Sequence, residues 1–191
     1  MANALFADDT SYALAKHVYF VGYMGAGKST VAQRLADILS LPIVDVDTYL
    51  EQREGRPIAR IFAEEGERFF RDVEESCLNE LACAAPQIIS CGGGVVTRDA
   101  NIEVMRNTGY VVYLKVTPEE ALARIPYSAN RPLQKTLEQA QKTIRQRKPL
   151  YDAAAHAFIN TTERSVQDVV ADVLEVLRNA GVLVDQRRSH R

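Results

Sequence analysis

Eight residues constrain this chain more than any others: Gly22, Tyr23, Met24, Gly25, Ala26, Gly27, Lys28 and Ser29 spell GxxxxGK[ST]. The pattern gains its meaning from what flanks it. Residues 17–21 are a short, apolar, β-favouring run that predicts a buried strand. From Lys28 onward, Val31, Leu35 and Ile38, with Ala32 and Leu39 beside them, recur at helical spacing. A strand, a glycine-rich turn and a helix in that order wrap successive backbone N–H groups around an anion at a helix N-terminus. Lys28 is then expected to neutralise the β- and γ-phosphates of a nucleotide, and the Ser29 hydroxyl to hold Mg²⁺. The bland alternative is a glycine-rich turn beside a surface lysine, which the flanking elements argue against.

The rest of the chain repeats the strand–helix alternation. Strands are predicted at 41–46, 87–91, 110–116 and 157–160. Helices are predicted at 48–53, from Pro57 over Ile58, Ile61 and Phe62, from Gly66 to about Ala84, from an Asp99 cap to Arg106, and at 166–178. Thr117, Pro118, Glu119 and Glu120 read as a cap, a first-position proline and an acidic first turn. Residues 125–132 are a polar, irregular break with two prolines; a helix is expected to resume near Leu133 and to stop at Pro149. Alternation of this kind implies a three-layer α/β/α domain around a parallel sheet of five strands. With 191 residues, one hydrophobic core suffices. Residues 1–16 and 185–191 are expected to be loose ends.

The chain is 47% hydrophobic and 25% charged, with a net charge of -2. Those values suggest neither a nucleic-acid nor a membrane surface, and no run nears the ~18 apolar residues of a membrane span. Residues 1–12 do not resemble a secretory signal. Cys77, Cys83 and Cys91 are too few and too irregular for a disulfide framework or a zinc site, so a reducing cytoplasm is the expected setting. Cys91 reads as a buried small apolar residue, and His17, His156 and His190 lack ligand spacing.

Ligands of open parallel sheets bind at the carboxyl ends of the strands, where Asp45, Asp47 and the run Gly92, Gly93, Gly94 all fall. In extended chain the two aspartates point to opposite sides. Asp45 is expected to support the metal and Asp47 to accept a hydroxyl hydrogen bond, and a helix-capping role remains open for either. Three glycines after a buried strand imply close approach of a ligand to the backbone, with a plain turn as the alternative.

Taken together, Gly22 to Thr30, Asp45 and Asp47, the run from Gly66 to Glu74 that contains Arg71, the glycine triplet, Arg131-Pro132-Leu133 and Arg147-Lys148-Pro149-Leu150-Tyr151 resemble shikimate kinases over residues 17–177. That family has a doubly wound five-stranded sheet like nucleoside monophosphate kinases and moves the ATP γ-phosphate to the 3-hydroxyl of shikimate. The resemblance implies nucleotide contacts at Gly25, Ala26, Gly27, Lys28, Ser29 and Thr30, with Arg124 and Arg164 near the adenine and Arg131 reaching the phosphates from a lid at 125–136. It implies shikimate contacts at Asp47, Arg71, Gly92, Gly93, Gly94 and Arg147, with the acceptor pocket built from helices at 48–84. Lys28, Asp47 and Arg131 are the implied catalytic residues, and Ser29 and Asp45 the implied metal ligands, for Mg²⁺. The chemistry is consistent, because guanidinium forks match a planar carboxylate and a carboxylate matches hydroxyl donors. Glu74, one turn past Arg71, is placed to orient it. Ile125, Pro126 and Tyr127 depart from the family's usual lid sequence. Shikimate and ATP are the expected partners and a monomer the expected state. A gluconate or nucleoside monophosphate kinase, and a non-catalytic nucleotide-binding module, are the competing readings.

Overall fold

The computed structural model describes residues 12–125 and 137–185. In chain order the elements are β1 (Tyr12–Leu14), β2 (His17–Val21), α1 (Lys28–Leu39), β3 (Ile43–Asp45), α2 (Val46–Glu54), α3 (Ile58–Glu64), α4 (Gly66–Ala82) and β4 (Ile88–Ser90). A 3₁₀ turn (Val95–Thr97) follows, then α5 (Asp99–Thr108), β5 (Gly109–Lys115), α6 (Pro118–Arg124), α7 (Leu137–Ala154), β6 (Ala157–Asn160), α8 (Val166–Asn179) and β7 (Leu183–Asp185).

Five strands form one all-parallel sheet in the order β3-β4-β2-β5-β6. β2 is central because all five of its residues are buried, so it tolerates neighbours and helices on every side. Its side chains alternate between the two faces. Val18 and Phe20 join Leu35 of α1 and Val173 and Leu177 of α8 in one core, while Tyr19 and Val21 join Leu78 of α4, Met105 of α5 and Tyr151 of α7 in the other. A smaller cluster of Leu50, Ile61, Phe70, Val73 and Cys77 binds α2 and α3 to α4. The predicted three-layer sheet and the helices expected over 48–84 are therefore present.

Several local expectations are corrected. Strand 41–46 is shorter, because Asp45 caps α2 and draws Val46 into the helix. Asp99 is the first residue of α5 and not its cap, a position held by Arg98. Helix α7 passes through Pro149 and ends at Ala154. Tyr151 and Ala154 beyond the proline are buried, and their packing outweighs the lost backbone donor. Part of each expected loose end is placed, because β1 and β7 pair antiparallel, with Leu14 opposite Leu183 and Tyr12 opposite Asp185; residues 1–11 and 186–191 lie outside the described residues. Arg178 donates to the Tyr12 hydroxyl at 3.0 Å and adds a cation–π contact with its ring. Three-residue strands at opposite ends of a chain carry no local pattern.

Candidate active site

The phosphate loop leaves β2 and enters α1 through Gly27, whose φ of 88° makes it a left-handed cap. Gly25 is more restrictive, since its φ is 78° and a Cβ there would run into the Ala121 carbonyl. Lys28 is 9% exposed, and its ammonium donates to the carbonyls of Gly22 (2.9 Å) and Tyr23 (3.0 Å), lying along the loop it belongs to. Ala26 is buried, and Thr30 lies exposed in the first turn of α1.

At the neighbouring strand ends, β3 and β4 are in register at Asp45 and Ser90. The Ser29 hydroxyl donates to Asp45 Oδ2 at 2.7 Å and lies 3.1 Å from the Ser90 hydroxyl. Asp45 Oδ1 accepts from the backbone N–H groups of Asp47 (3.1 Å) and Thr48 (3.3 Å). The capping role and the position beside Ser29 thus coexist in one carboxylate. Asp47 sits in the first turn of α2 and not in extended chain, so helix geometry rather than strand alternation aims its side chain. A hydroxyl and a carboxylate at 2.7 Å are hard oxygen donors of the kind Mg²⁺ takes when phosphates and water complete its shell.

Beyond β4, the three glycines form the floor between α2, α4 and α7. A Cβ on Gly92 would lie 2.8 Å from Asp47 Oδ1 and 2.9 Å from Glu74 Oε1, so both carboxylates converge there. A Cβ on Gly94 would strike the Arg71 guanidinium, 2.2 Å from Nη2 and 2.4 Å from Nη1. Arg71 Nη1 donates to Glu74 Oε2 at 2.6 Å, Nη2 to Glu67 Oε1 at 3.3 Å, and the group rests 5.0 Å from the centre of the Phe70 ring. Glu74 is 1% exposed, and its Oε1 is buried with no hydrogen-bond partner. Burial lifts its carboxyl above the ordinary value by more than the charge of Arg71 lowers it.

Arg147 reaches the same floor from α7. Its Nη1 donates to the Gly93 carbonyl at 3.1 Å, and Tyr151, one turn along, donates to that oxygen at 2.5 Å. A Cβ on Gly93 would lie 3.4 Å from the Met24 nitrogen and 3.6 Å from the Gly22 carbonyl. The floor under both arginines therefore lies within a methyl group's reach of the phosphate loop.

Arg124 packs beside that loop, donating to Gly25 O (3.4 Å), Thr161 Oγ1 (3.2 Å), Thr161 O (2.6 Å) and Glu120. Arg164 instead turns onto α8, where it meets Asp172 at 2.5 Å and the Asp168 carbonyl at 3.3 Å. Arg131, Pro126 and Tyr127 lie outside the described residues. Cys91 is buried, which pushes its thiol up, as the reading of an inert core residue requires. His17 and His156 accept backbone N–H groups of Gln87 and Val111, so both are structural. Ser90 and Tyr151 escape sequence reasoning as site residues; the one available signal for Tyr151 is its spacing of four from Arg147.

The family model for shikimate kinase matches residues 24–178. A shikimate kinase of Dehalococcoides mccartyi is 39% identical over 167 residues, covering 86% of this chain and 95% of that protein. The chain belongs to the shikimate kinase family. A second shikimate kinase, from Pseudomonas aeruginosa, is 42% identical over 165 residues, covering 85% of this chain and 96% of its own length. Among solved structures, a shikimate kinase from Acinetobacter baumannii in complex with shikimate superposes with a TM-score of 0.83 at 32% identity, covering 94% of this chain and 98% of that one. A gluconokinase from Sinorhizobium meliloti has a TM-score of 0.56 at 15% identity, which is a likeness of fold alone. As a shikimate kinase family member the chain is an ATP-dependent phosphotransferase acting on an alcohol group.

Proposed function

We propose that this protein phosphorylates the 3-hydroxyl of shikimate from ATP with the residues gathered around the glycine floor. The observation that carries the reading is the position of that floor beside the phosphate loop, while the Arg71 guanidinium fills the space beside Gly94 and Arg147 donates to Gly93. Two guanidinium groups beside one cradle suit a small acid bearing several hydroxyls. In this reading Arg71 and Arg147 bind the shikimate carboxylate by charge-assisted hydrogen bonds. Asp47 accepts from a shikimate hydroxyl, orients it and takes its proton as the phosphoryl leaves ATP.

The donor side follows the same logic. Backbone N–H groups of Gly25, Ala26 and Gly27 and those of Lys28, Ser29 and Thr30 at the helix start cradle the phosphates. Lys28 exchanges its two loop carbonyls for phosphate oxygens, and Arg124, held at the mouth of the loop by Thr161, packs on the adenine. Ser29 and Asp45 would hold Mg²⁺, which supplies charge neutralisation at the phosphates when bound. The roles of Arg131 at the transferring phosphoryl and Arg164 near the adenine rest on the sequence alone. The transfer is direct and in line, and the protein contributes positioning and electrostatics. Three free thiols support a reducing cytoplasm as its location.

A coupled assay with shikimate, ATP and Mg²⁺ tests this. Wild type is expected to turn over, and Asp47→Asn to lose about 10²-fold or more in kcat while still binding ATP by calorimetry. Equal rates would remove Asp47 from the mechanism, and activity on gluconate with none on shikimate would overturn the substrate.

A further inference from the structure

Helix α4 carries charge on two flanks at the same spacing. Arg71 and Glu74 face the glycine floor, and Asp72 and Glu75, each one position further on, face Arg98. Arg98 spans both carboxylates, with Nη2 at 2.5 Å from Asp72 Oδ1 and Nη1 at 2.7 Å from Glu75 Oε2; Nη2 also lies 3.5 Å from the Arg68 carbonyl. Nothing in the phosphoryl-transfer chemistry touches this side chain.

Its place in the chain is what matters. Residues 92–98 form one internally bonded strap: Val95 N–H donates to Gly92 O (3.2 Å), and Thr97 donates to Gly94 O through both its N–H (2.9 Å) and its hydroxyl (2.7 Å). Asn101 Nδ2 holds the middle of the strap at Val95 O (2.9 Å), and the Arg98 carbonyl accepts from Asn101 N–H (3.1 Å) as α5 begins. One end of the strap is the glycine floor under Arg71. The other end is Arg98, clasped to the helix that carries Arg71. The distance between α4 and the floor is therefore set at both ends of a short, stiff segment.

We propose that Arg98 is a positioning residue for the acceptor: it fixes Arg71 over Gly94 by clasping α4 through Asp72 and Glu75, without touching shikimate. This rests on the reading that Arg71 binds the shikimate carboxylate. The side chains of Arg98, Asp72 and Glu75 are 28%, 58% and 31% exposed, so the ion pairs contribute little to folding. Their effect falls on geometry, where a small displacement of a substrate-binding group has a large cost.

Steady-state kinetics on Arg98→Ala, Arg98→Lys and the double variant Asp72→Asn/Glu75→Gln test the clasp, with Arg71→Lys beside them. Arg98→Ala and the double variant are expected to raise the KM for shikimate about fivefold to tenfold, with kcat and the KM for ATP within about twofold of wild type and a nearly unchanged melting temperature. Lysine reaches one carboxylate only, so Arg98→Lys is expected between wild type and alanine. An unchanged shikimate KM in Arg98→Ala, with a raised one in Arg71→Lys, would overturn the clasp alone. A rise in both KM values that tracks a fall in melting temperature would also overturn it, as the mark of a merely structural role. An unchanged KM in Arg71→Lys would instead remove the reading on which the clasp rests.

Discussion

Glu74 holds Arg71 at 2.6 Å through one carboxylate oxygen and leaves its other oxygen buried without a donor, facing the site where Asp47 also points. A carboxyl in that position is lifted by burial, so the folded protein binds its proton more tightly than the unfolded chain does. Its contribution to stability is complete below the unfolded value of about 4.3 and is lost as pH rises through the higher folded value. Urea unfolding between about pH 4 and about pH 8 should therefore show stability falling more steeply with pH in wild type than in Glu74→Gln. Parallel profiles would mean that Glu74 titrates alike in both states. The same variant loosens Arg71 and is expected to raise the shikimate KM about tenfold.

Gly94→Ala should separate binding from folding. Its Cβ meets the far end of the Arg71 side chain and not backbone, so the side chain swings away and the chain folds. The shikimate KM is expected to rise about tenfold or more, with the KM for ATP unchanged. Gly25→Ala is the contrasting case, because backbone and a positive φ oppose it, and about 1–3 kcal/mol of stability should be lost. An intact shikimate KM in Gly94→Ala would show that the contact with Arg71 is dispensable.

Ser29 and Asp45 share a hydrogen bond but not a structural duty. Ser29→Ala should raise the Mg²⁺ concentration for half-maximal rate and leave the urea midpoint in place. Asp45→Ala should raise that concentration too and also lower the urea midpoint, since it removes the acceptor for the Asp47 and Thr48 N–H groups, a cap worth about 1 kcal/mol. Magnesium titrations alongside urea curves check the split; a matching stability loss in Ser29→Ala would contradict it.

Leu183 lies opposite Leu14 in the terminal ribbon and is buried in the core with α1 and α8. Leu183→Ala is expected to cost about 2–4 kcal/mol in urea unfolding, with kinetic constants unchanged. A cost near zero would mean that the ribbon is not part of the cooperative core.

What the sequence disclosed depended on the range of each interaction. β2, the phosphate loop and α1 were legible because strand, glycines and amphipathic face are contiguous and agree. The ribbon was not, because Leu14 and Leu183 find their meaning only in each other. Pro149 reads as a stop by local backbone chemistry alone, and the helix continues through it because Tyr151 and Ala154 beyond it are buried. At the site, Arg71 and Arg147 stand out only as parts of a constellation, and their meeting over residues 92–94 is a tertiary fact. Tyr151 carries a faint signal, its spacing from Arg147, because it serves through a backbone carbonyl, and Arg98 carries none, because it acts through the reverse side of a helix.

Because Tyr12 and Asp185 are register partners, the first and last of the described residues lie side by side. A brief peptide joining those two positions would let new termini be opened elsewhere, as circular permutants, and the surface turn around Gly55, where an added Cβ meets nothing, offers one such opening far along the sequence from the phosphate loop.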